Sequence, residues 1–428
     1  MNPKERQQDI ETVSNRFKKL AEANRSLVEI ESLDELFLRF IDLAKEVTTA
    51  ESSLFFLYNS ESRLLEIVSV RDDRFGDKRK STVKFKMGEG VTGWVAQNRK
   101  AVLIEDAQKD SRFSRLADKH RNFTTRSLLS VPLVYREELL GVLTAVNARY
   151  KPFFDNEDLA LFESFADLAA VAIIRARLLE QRIEQDRLRT ELKAAAKIQK
   201  LFWPKVPELG VGSHVWAHSE PAGSVGGDLY DVIPMPDKSW LVYVADVAGK
   251  GLPAALMMAA LSAKVRSIAP LHHEVAKLLA NVNDTMYALM SDEGFFATML
   301  LSKYWPETGR VQIARAGHPY PLWVINHGVR ELPKLDGIPI GIELGAEYKQ
   351  TEFVLSPGES ILLITDGVTE AENEQGGWFG NVCLFNYFKE ANGPPWAEGL
   401  LERMDSWRGN APVNDDLTMV EIWRDPPR

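Results

Sequence analysis

Residues 361–374 read ILLITDGVTEAENE, four apolar side chains running straight into Asp366 and Gly367. An apolar run of that length closed by a turn pair reads as a buried strand that delivers one carboxylate to its end. Three more acidic sites repeat the pattern: Asp228 in SVGGDLYDVI, Asp246 in WLVYVADVAGKGLPAALMMAAL and Asp415 in PVNDDLTMVEIW. Each abuts a strand-like run, and most have glycine close by.

A single strand-end aspartate is ordinarily a turn former or helix cap, because its side chain satisfies nearby backbone N–H groups. Four are harder to explain that way. If they converged with nothing between them, like charges would force protons on, so a cation is the easier solution. Carboxylates with no cysteine and no paired histidine spacing favour hard Mg²⁺ or Mn²⁺ over Zn²⁺. Two such ions about 3.5–4 Å apart can bridge a water, lower its pKa and present it in line to a phosphoryl group. That is hydrolysis without a protein nucleophile.

The chain of 428 residues exceeds one ordinary domain, and 45% hydrophobic with 26% charged residues is globular composition. A net charge of -9 argues against broad nucleic-acid or anionic-membrane binding. The basic cluster Arg112, Arg115, Lys119, Arg121 and Arg126 reads as a solvated loop. The single cysteine, Cys383 in NVCLFNYF, excludes an internal disulfide framework and reads as core. With a polar N-terminus, MNPKERQQDIE, and no run that approaches the roughly 18 apolar residues a membrane helix requires, the expectation is a soluble, cytoplasmic protein.

Residues 1–30 place Ile10, Val13, Phe17, Leu20, Asn24 and Leu27 at three- and four-residue steps, a coiled-coil seam with Asn24 at an a-type position. From 31 to 175, β-rich runs (SSLFFLYN, RLLEIVSV, AVLIED, SLLSVPLVY, LLGVLTAVNA) lie between helical ends, an α+β domain around an antiparallel sheet. Helix continues without Gly or Pro from about Asp155 to Phe202, making 176–204 a linker. Val171, Ile174, Leu178, Gln181, Gln185, Leu188, Leu192 and Ala195 form its seam, and both seams point to a homodimer through helical segments. Pro204 and Pro207 end the rod, and a second globular domain fills 205–428.

KMGEGVTGWVAQN spaces Gly88, Gly90 and Gly93 as G-x-G-x-x-G, but no buried parallel strand precedes it, so it is not a dinucleotide fingerprint. The same words, GEGVTGWVAQNRKAVLIEDAQKDSRF followed by SLLSVPLVYREELLGVLTAVN, resemble a GAF domain over most of 30–175. The resemblance implies a sensor of an unknown small-molecule ligand, or of a protein, that signals through flanking helices. Asn147, Lys151, Phe154 and Asp158 are similar to the motif of cyclic-nucleotide-binding GAF domains; we read them instead as a strand end and an N-capped helix. His120, in a polar stretch, does not suggest a haem ligand.

In the second domain VGGDLYD, VADVAGKGLPAALMM, FATML, RAGHPYPLWV, PIGI, LLITDGVTEAEN and NDDLTMVEI occur in an order similar to the sporulation stage II E-type branch of metal-dependent, type 2C-like (PPM) serine/threonine phosphatases. ELKAAAKIQKLFWPKVP resembles that branch's opening helix. The whole is then an α+β multidomain chain: GAF domain, coiled-coil linker, and a phosphatase β-sandwich flanked by helices. The resemblance implies two divalent cations, Mn²⁺ or Mg²⁺, with Asp228 and Asp246 bridging or flanking them, Val247 lending its backbone carbonyl, and Asp366 holding one ion. It matches Asp415 to the last ligand and leaves Asp416 as its partner or the true ligand. It also implies a phosphoserine or phosphothreonine protein as substrate, an anti-anti-sigma factor in partner-switching signalling. Founding members of the wider superfamily hold phosphate with an arginine, where AGSVGGD offers only Ala222, Gly223 and Ser224. His318 in RAGHPYP reads as part of a Gly/Pro turn, and Lys250 as a solvated lysine within reach of phosphate. The competing reading is a catalytically inactive scaffold that binds a phosphoprotein or small ligand.

Overall fold

In the structure, a computed structural model, residues 32–426 are described apart from 73–75, 80–83, 114–123, 211, 327 and 392. The predicted 1–30 coiled coil with Asn24 lies outside the described residues, as do Arg115, Lys119, His120 and Arg121. The chain divides into two compact units at Arg187/Leu188.

The first unit is a sheet in the order β3-β2-β1-β7-β6-β5, built from β1 (Ala50–Asn59), β2 (Leu64–Asp72), β3 (Gly76–Arg79), β5 (Val102–Ile104), β6 (Leu128–Tyr135) and β7 (Glu138–Ala148). A short β4 (Lys84–Lys86) pairs with β2, and every pairing in the sheet is antiparallel. One face is covered by α1 (Leu33–Thr48) and the start of α3 (Asn156–Gln199), through Leu36, Phe40 and Ile41 packed with Phe162, Phe165 and Ala169. The other face carries α2 (Gly90–Asn98), whose Val91 and Val95 meet Phe56, Ile67 and Val142.

The glycines of the false fingerprint are there for packing. A Cβ on Gly93 would stand 2.3 Å from the Lys86 carbonyl, and Gly88 sits at φ +81°, so the turn itself requires glycine. Asn147 spends its amide on protein: Oδ1 accepts from the Arg126 and Ser127 N–H groups, and Nδ2 donates to Glu51 and the Thr124 carbonyl. Asp155 accepts from the Glu157 and Asp158 N–H groups while Asp158 accepts from the Asp155 N–H, a reciprocal cap that starts α3. α3 is 44 residues long, close to the predicted rod, and Val171, Leu178 and Leu188 of its seam are exposed in the single chain.

The second unit stacks helices, sheet, sheet and helices. Sheet order β15-β12-β11-β10-β9 uses β9 (Leu229–Pro234), β10 (Trp240–Val247), β11 (Ala297–Trp305), β12 (Arg310–Ala316) and β15 (Gln350–Val354). Order β14-β13-β16-β17-β8 uses β8 (Ser213–Glu220), β13 (Leu322–Ile325), β14 (Gly328–Arg330), β16 (Ser360–Ile364) and β17 (Leu417–Arg424). Outside the first sheet lie α4 (Leu252–Ile268) and α5 (Val275–Met290); outside the second lie α6 (Gly380–Glu390) and α7 (Trp396–Arg408).

This layering explains the unbroken apolar run of β16. Ile361 and Leu363 point between the sheets with Val420 and Ile422, while Leu362 and Ile364 face α6 and α7, so neither face meets water. β10 does the same, with Val242 and Val244 inward and Leu241, Tyr243 and Ala245 toward α4. The stretch Leu252–Leu271 does have the length and mean hydropathy of a membrane span, which the sequence reading passed over. In the fold its Ala254, Met258, Leu261 and Val265 are buried in the core between helix and sheet.

Candidate active site

The two sheets bring four strand ends to one mouth of the sandwich. In the first, Ala245 pairs with Leu229, so the end of β10 and the start of β9 are neighbours, carrying Asp246 and Asp228. In the second, Ile364 pairs with Met419, which sets Asp366 after β16 beside Asp415 and Asp416 before β17. Asp246 is in phase with Val242 and Val244, so its side chain belongs to the face between the sheets. All four predicted acidic sites therefore converge, although Asp228 and Asp416 of the last site lie 188 residues apart in sequence.

Asp228, only 3% exposed, accepts a hydrogen bond from the Thr365 hydroxyl at 2.8 Å. That hydroxyl accepts in turn from the Thr418 N–H at 2.9 Å, tying β9, β16 and β17 together through one oxygen. Thr365 was not singled out in the sequence, although it directly precedes Asp366. Burial, then the Asp246 charge, pushes the Asp228 carboxyl well above its ordinary range.

Asp415 and Asp416, left undecided by sequence, differ in what they touch. Asp416 Oδ1 accepts from the Ala222 N–H at 2.8 Å, and its Oδ2 from the Gly227 N–H at 2.6 Å and the Asp228 N–H at 3.4 Å. It is committed to backbone. Asp415 accepts the N–H of Asp416 at 3.0 Å and lies 3.4 Å from the Lys250 ammonium, with its side chain 36% exposed. Lys250, read as solvated, also donates to the Asn414 carbonyl at 2.9 Å, so its flexible stem brings a cation to the rim of the acid cluster.

The glycines beside the acids are steric requirements. A Cβ on Gly226 would stand 2.3 Å from Asp416 Oδ2, one on Gly227 2.5 Å from the Val247 carbonyl, and one on Gly367 2.0 Å from the Asp416 carbonyl. Close backbone approach draws these acids together.

Burial first, then the charges of Asp366, Asp415 and Asp416, raise the Asp246 carboxyl from 3.8 to about 7. Burial, then Asp415, raises Asp366 as well. Among the described residues, no group of three or more acidic, histidine or cysteine side chains is closed into a ready-made metal cage. Asp228, Asp246, Asp366, Asp415 and the Val247 carbonyl could offer oxygen donors only, the chemistry that suits Mg²⁺ or Mn²⁺.

A pH test follows. Asp246 holds its proton to higher pH folded than unfolded, so its contribution to stability is fully present below pH 3.8 and is lost as pH rises through about 7. Without divalent cations, the thermal midpoint of wild type is expected to fall relative to that of Asp246→Asn between pH 5 and 8. Added Mn²⁺ should reverse the slope, since cation and proton compete. A difference between the two proteins that does not change with pH would refute the assignment.

His318 is more than a turn residue. It is fully buried, its Nδ1 lies 2.8 Å from the Thr298 hydroxyl, and burial depresses its pKa to about 3, so the ring is neutral. Thr298 is the register partner of Asp246, which puts a neutral imidazole under the acid cluster between the sheets. Gly317 has φ +66°, and a Cβ there would stand 2.6 Å from Pro339, a proline outside the RAGHPYP turn. Asp231, also missed, is buried and paired with Arg266 at 2.7 Å, fastening α4 to β9. Both contacts join residues far apart in sequence. Cys383 is partly buried against the layer of α6 and α7, close to the expected core position.

Comparison with known proteins agrees with both resemblances. The model of the GAF domain family matches residues 32–173, and that of the stage II sporulation protein E (SpoIIE) family matches residues 236–425. The chain is similar to the phosphoserine phosphatase RsbU of Bacillus subtilis, 32% identical over 45% of this chain and 57% of that protein. It is also similar to the probable 3',5'-cyclic phosphodiesterase pde-5 of Caenorhabditis elegans, 26% identical over 39% of this chain and 24% of that protein. The chain thus spans little more than half, or less, of these curated relatives' lengths. Among solved structures, the SiaA-PP2C domain of Pseudomonas aeruginosa is 25% identical, covering 56% of this chain and 98% of that domain with a TM-score of 0.48. The chain accordingly joins a GAF domain, at residues 32–173, to a phosphatase-type domain of the stage II sporulation protein E family, at residues 236–425.

Proposed function

We propose that the chain is a metal-dependent phosphoprotein phosphatase regulated by its GAF domain. The observation that carries this is the convergence of Asp228, Asp246, Asp366 and Asp415 at one mouth of the sandwich, with Asp416 given over to the backbone. Asp228, Asp246, Asp366, Asp415 and the Val247 carbonyl would hold two divalent cations, Mn²⁺ or Mg²⁺. When bound, these supply an activated water and a clamp on the phosphoryl group. The chain's own part is to hold the donors: Thr365 orients Asp228, Asp416 fixes the loop that carries it, and Lys250 at the rim is placed to meet the anionic substrate.

The similarity to a phosphoserine phosphatase supports a phosphoserine or phosphothreonine protein as substrate. In this reading it is an anti-anti-sigma factor of a partner-switching pathway. Residues 1–30 and 176–204 would be dimerising helices, 31–175 the sensor for an unknown small molecule, and 205–428 the hydrolase. A sensor ligand would act only through different affinities for two states of the chain.

The direct test is phosphate release from a phosphoserine protein with Mn²⁺, with Mg²⁺ and with EDTA. Release with a metal and none with EDTA is expected. No release from any substrate, together with no Mn²⁺ binding by calorimetry, would leave the inactive scaffold. For the dimer, Leu178→Glu with Leu188→Glu is expected to halve the mass found by sedimentation, because two charges would enter the apolar seam. An unchanged mass would remove the α3 seam from the interface.

A further inference from the structure

The last residue of α3 reaches the loop that carries Asp228. Gln199 is 5% exposed; its Nε2 donates to the Gly226 carbonyl at 2.6 Å, and its Oε1 accepts from the Gly226 N–H at 3.2 Å. One amide therefore satisfies both backbone groups of one residue, as a neighbouring strand would. The next residue is gripped from elsewhere, by Asp416 on the Gly227 N–H at 2.6 Å.

Gly226 lies close against the Asp416 carboxylate, since a Cβ there would stand 2.3 Å from Asp416 Oδ2. Just past Gln199 the helix ends with Phe202 packed on the core between α4, α5 and their sheet, and Trp203 on the core between the sheets. The final turn of α3 is seated by these contacts, and its amide hands that seating to the acid-bearing loop. By contrast, residues 180–191 upstream are all exposed.

We propose that Gln199 is a positioning residue: its amide holds the Gly226–Asp228 segment in the conformation that binds the cation, so that cation affinity depends on the last turn of α3 staying wound. This rests on the phosphatase reading for its cation. It acts through the loop, touching no substrate.

The test uses the full chain with Gln199→Met, which keeps length and volume but loses both hydrogen bonds, and Gln199→Ala. Mn²⁺ affinity by calorimetry is expected to fall by about 10- to 100-fold in both, the range for residues that orient ligands. Phosphate release should recover in Gln199→Met at saturating Mn²⁺, with KM for the phosphoprotein unchanged. In cation-free protein, amide exchange at Gly226–Asp228 should speed up in Gln199→Met, a readout that needs neither metal nor activity. Wild-type Mn²⁺ affinity and exchange in Gln199→Met would overturn the proposal. If wild type itself bound no Mn²⁺, the phosphatase reading would fail, and unchanged exchange would still be required to sink the clamp.

Discussion

Asp246→Asn is expected to lower Mn²⁺-dependent phosphate release by at least about a hundredfold, since changes even to residues that merely orient metal ligands cost 10- to 100-fold. The fold should survive. Asp246 sits at the end of β10 beside three other carboxylates, and near neutral pH without a cation its charge is resisted by burial and by Asp366, Asp415 and Asp416. A neutral amide of the same shape removes that repulsion, so the cation-free variant should be at least as stable as wild type at pH 8. Phosphate release and thermal melting with and without Mn²⁺ separate these effects. Full activity in Asp246→Asn would remove this residue from the site, and a large drop in cation-free stability would show the carboxylate to be structural.

Gly367→Ala should be the most damaging small substitution. Its Cβ would lie 2.0 Å from the Asp416 carbonyl oxygen, 2.9 Å from that carbon and 3.3 Å from the Leu417 Cα, all backbone. These atoms cannot easily retreat, because the Asp416 side chain is tied to the Ala222, Gly227 and Asp228 N–H groups. The start of β17 would have to leave the end of β16, costing roughly 3 kcal/mol or more by the scale of overpacked sites. Gly223→Ala is the control, since its nearest contact would be an ordinary 3.5 Å and its φ is unexceptional. Urea midpoints decide it: equal midpoints for the two variants would refute the clash. Loss of Mn²⁺ binding is expected alongside, because the same shift would part Asp366 from Asp415.

Much of this was local enough to read in the chain. The run Ile361–Ile364 is apolar at every position because β16 is covered on both faces, and its end at Thr365 and Asp366 coincides with the end of pairing. The absence of Gly and Pro after Asp155 marked α3 to within a few residues of its observed span. Likewise Asp155 and Asp158, three apart, form the cap that the spacing suggested over a ligand motif. In each case the deciding interactions lie within a few residues of one another, where periodicity and turn chemistry record them.

What escaped was set by partners distant in sequence. Asp415 and Asp416 are adjacent and chemically identical, and nothing local says that one turns to the Ala222–Asp228 backbone while the other stays at the rim. His318 sits in a Gly/Pro turn, yet its burial beneath Asp246 comes from the pairing of β10 with β11. Gln199 is one polar residue in a polar helix until the loop 27 residues later closes on its amide.

The sequence by itself thus determined the two-domain plan, the helical rod, several of the strands and the set of acids at their ends, because those follow from burial patterns and backbone chemistry along short stretches. Only the tertiary structure showed that Asp416 is tied to backbone while Asp415 meets Lys250 at the rim, and that Thr365, His318 and Gln199 lie where they can support the acids. Those roles depend on two sheets closing face to face, an arrangement that pairs residues more than a hundred positions apart and leaves no spacing in the chain to read.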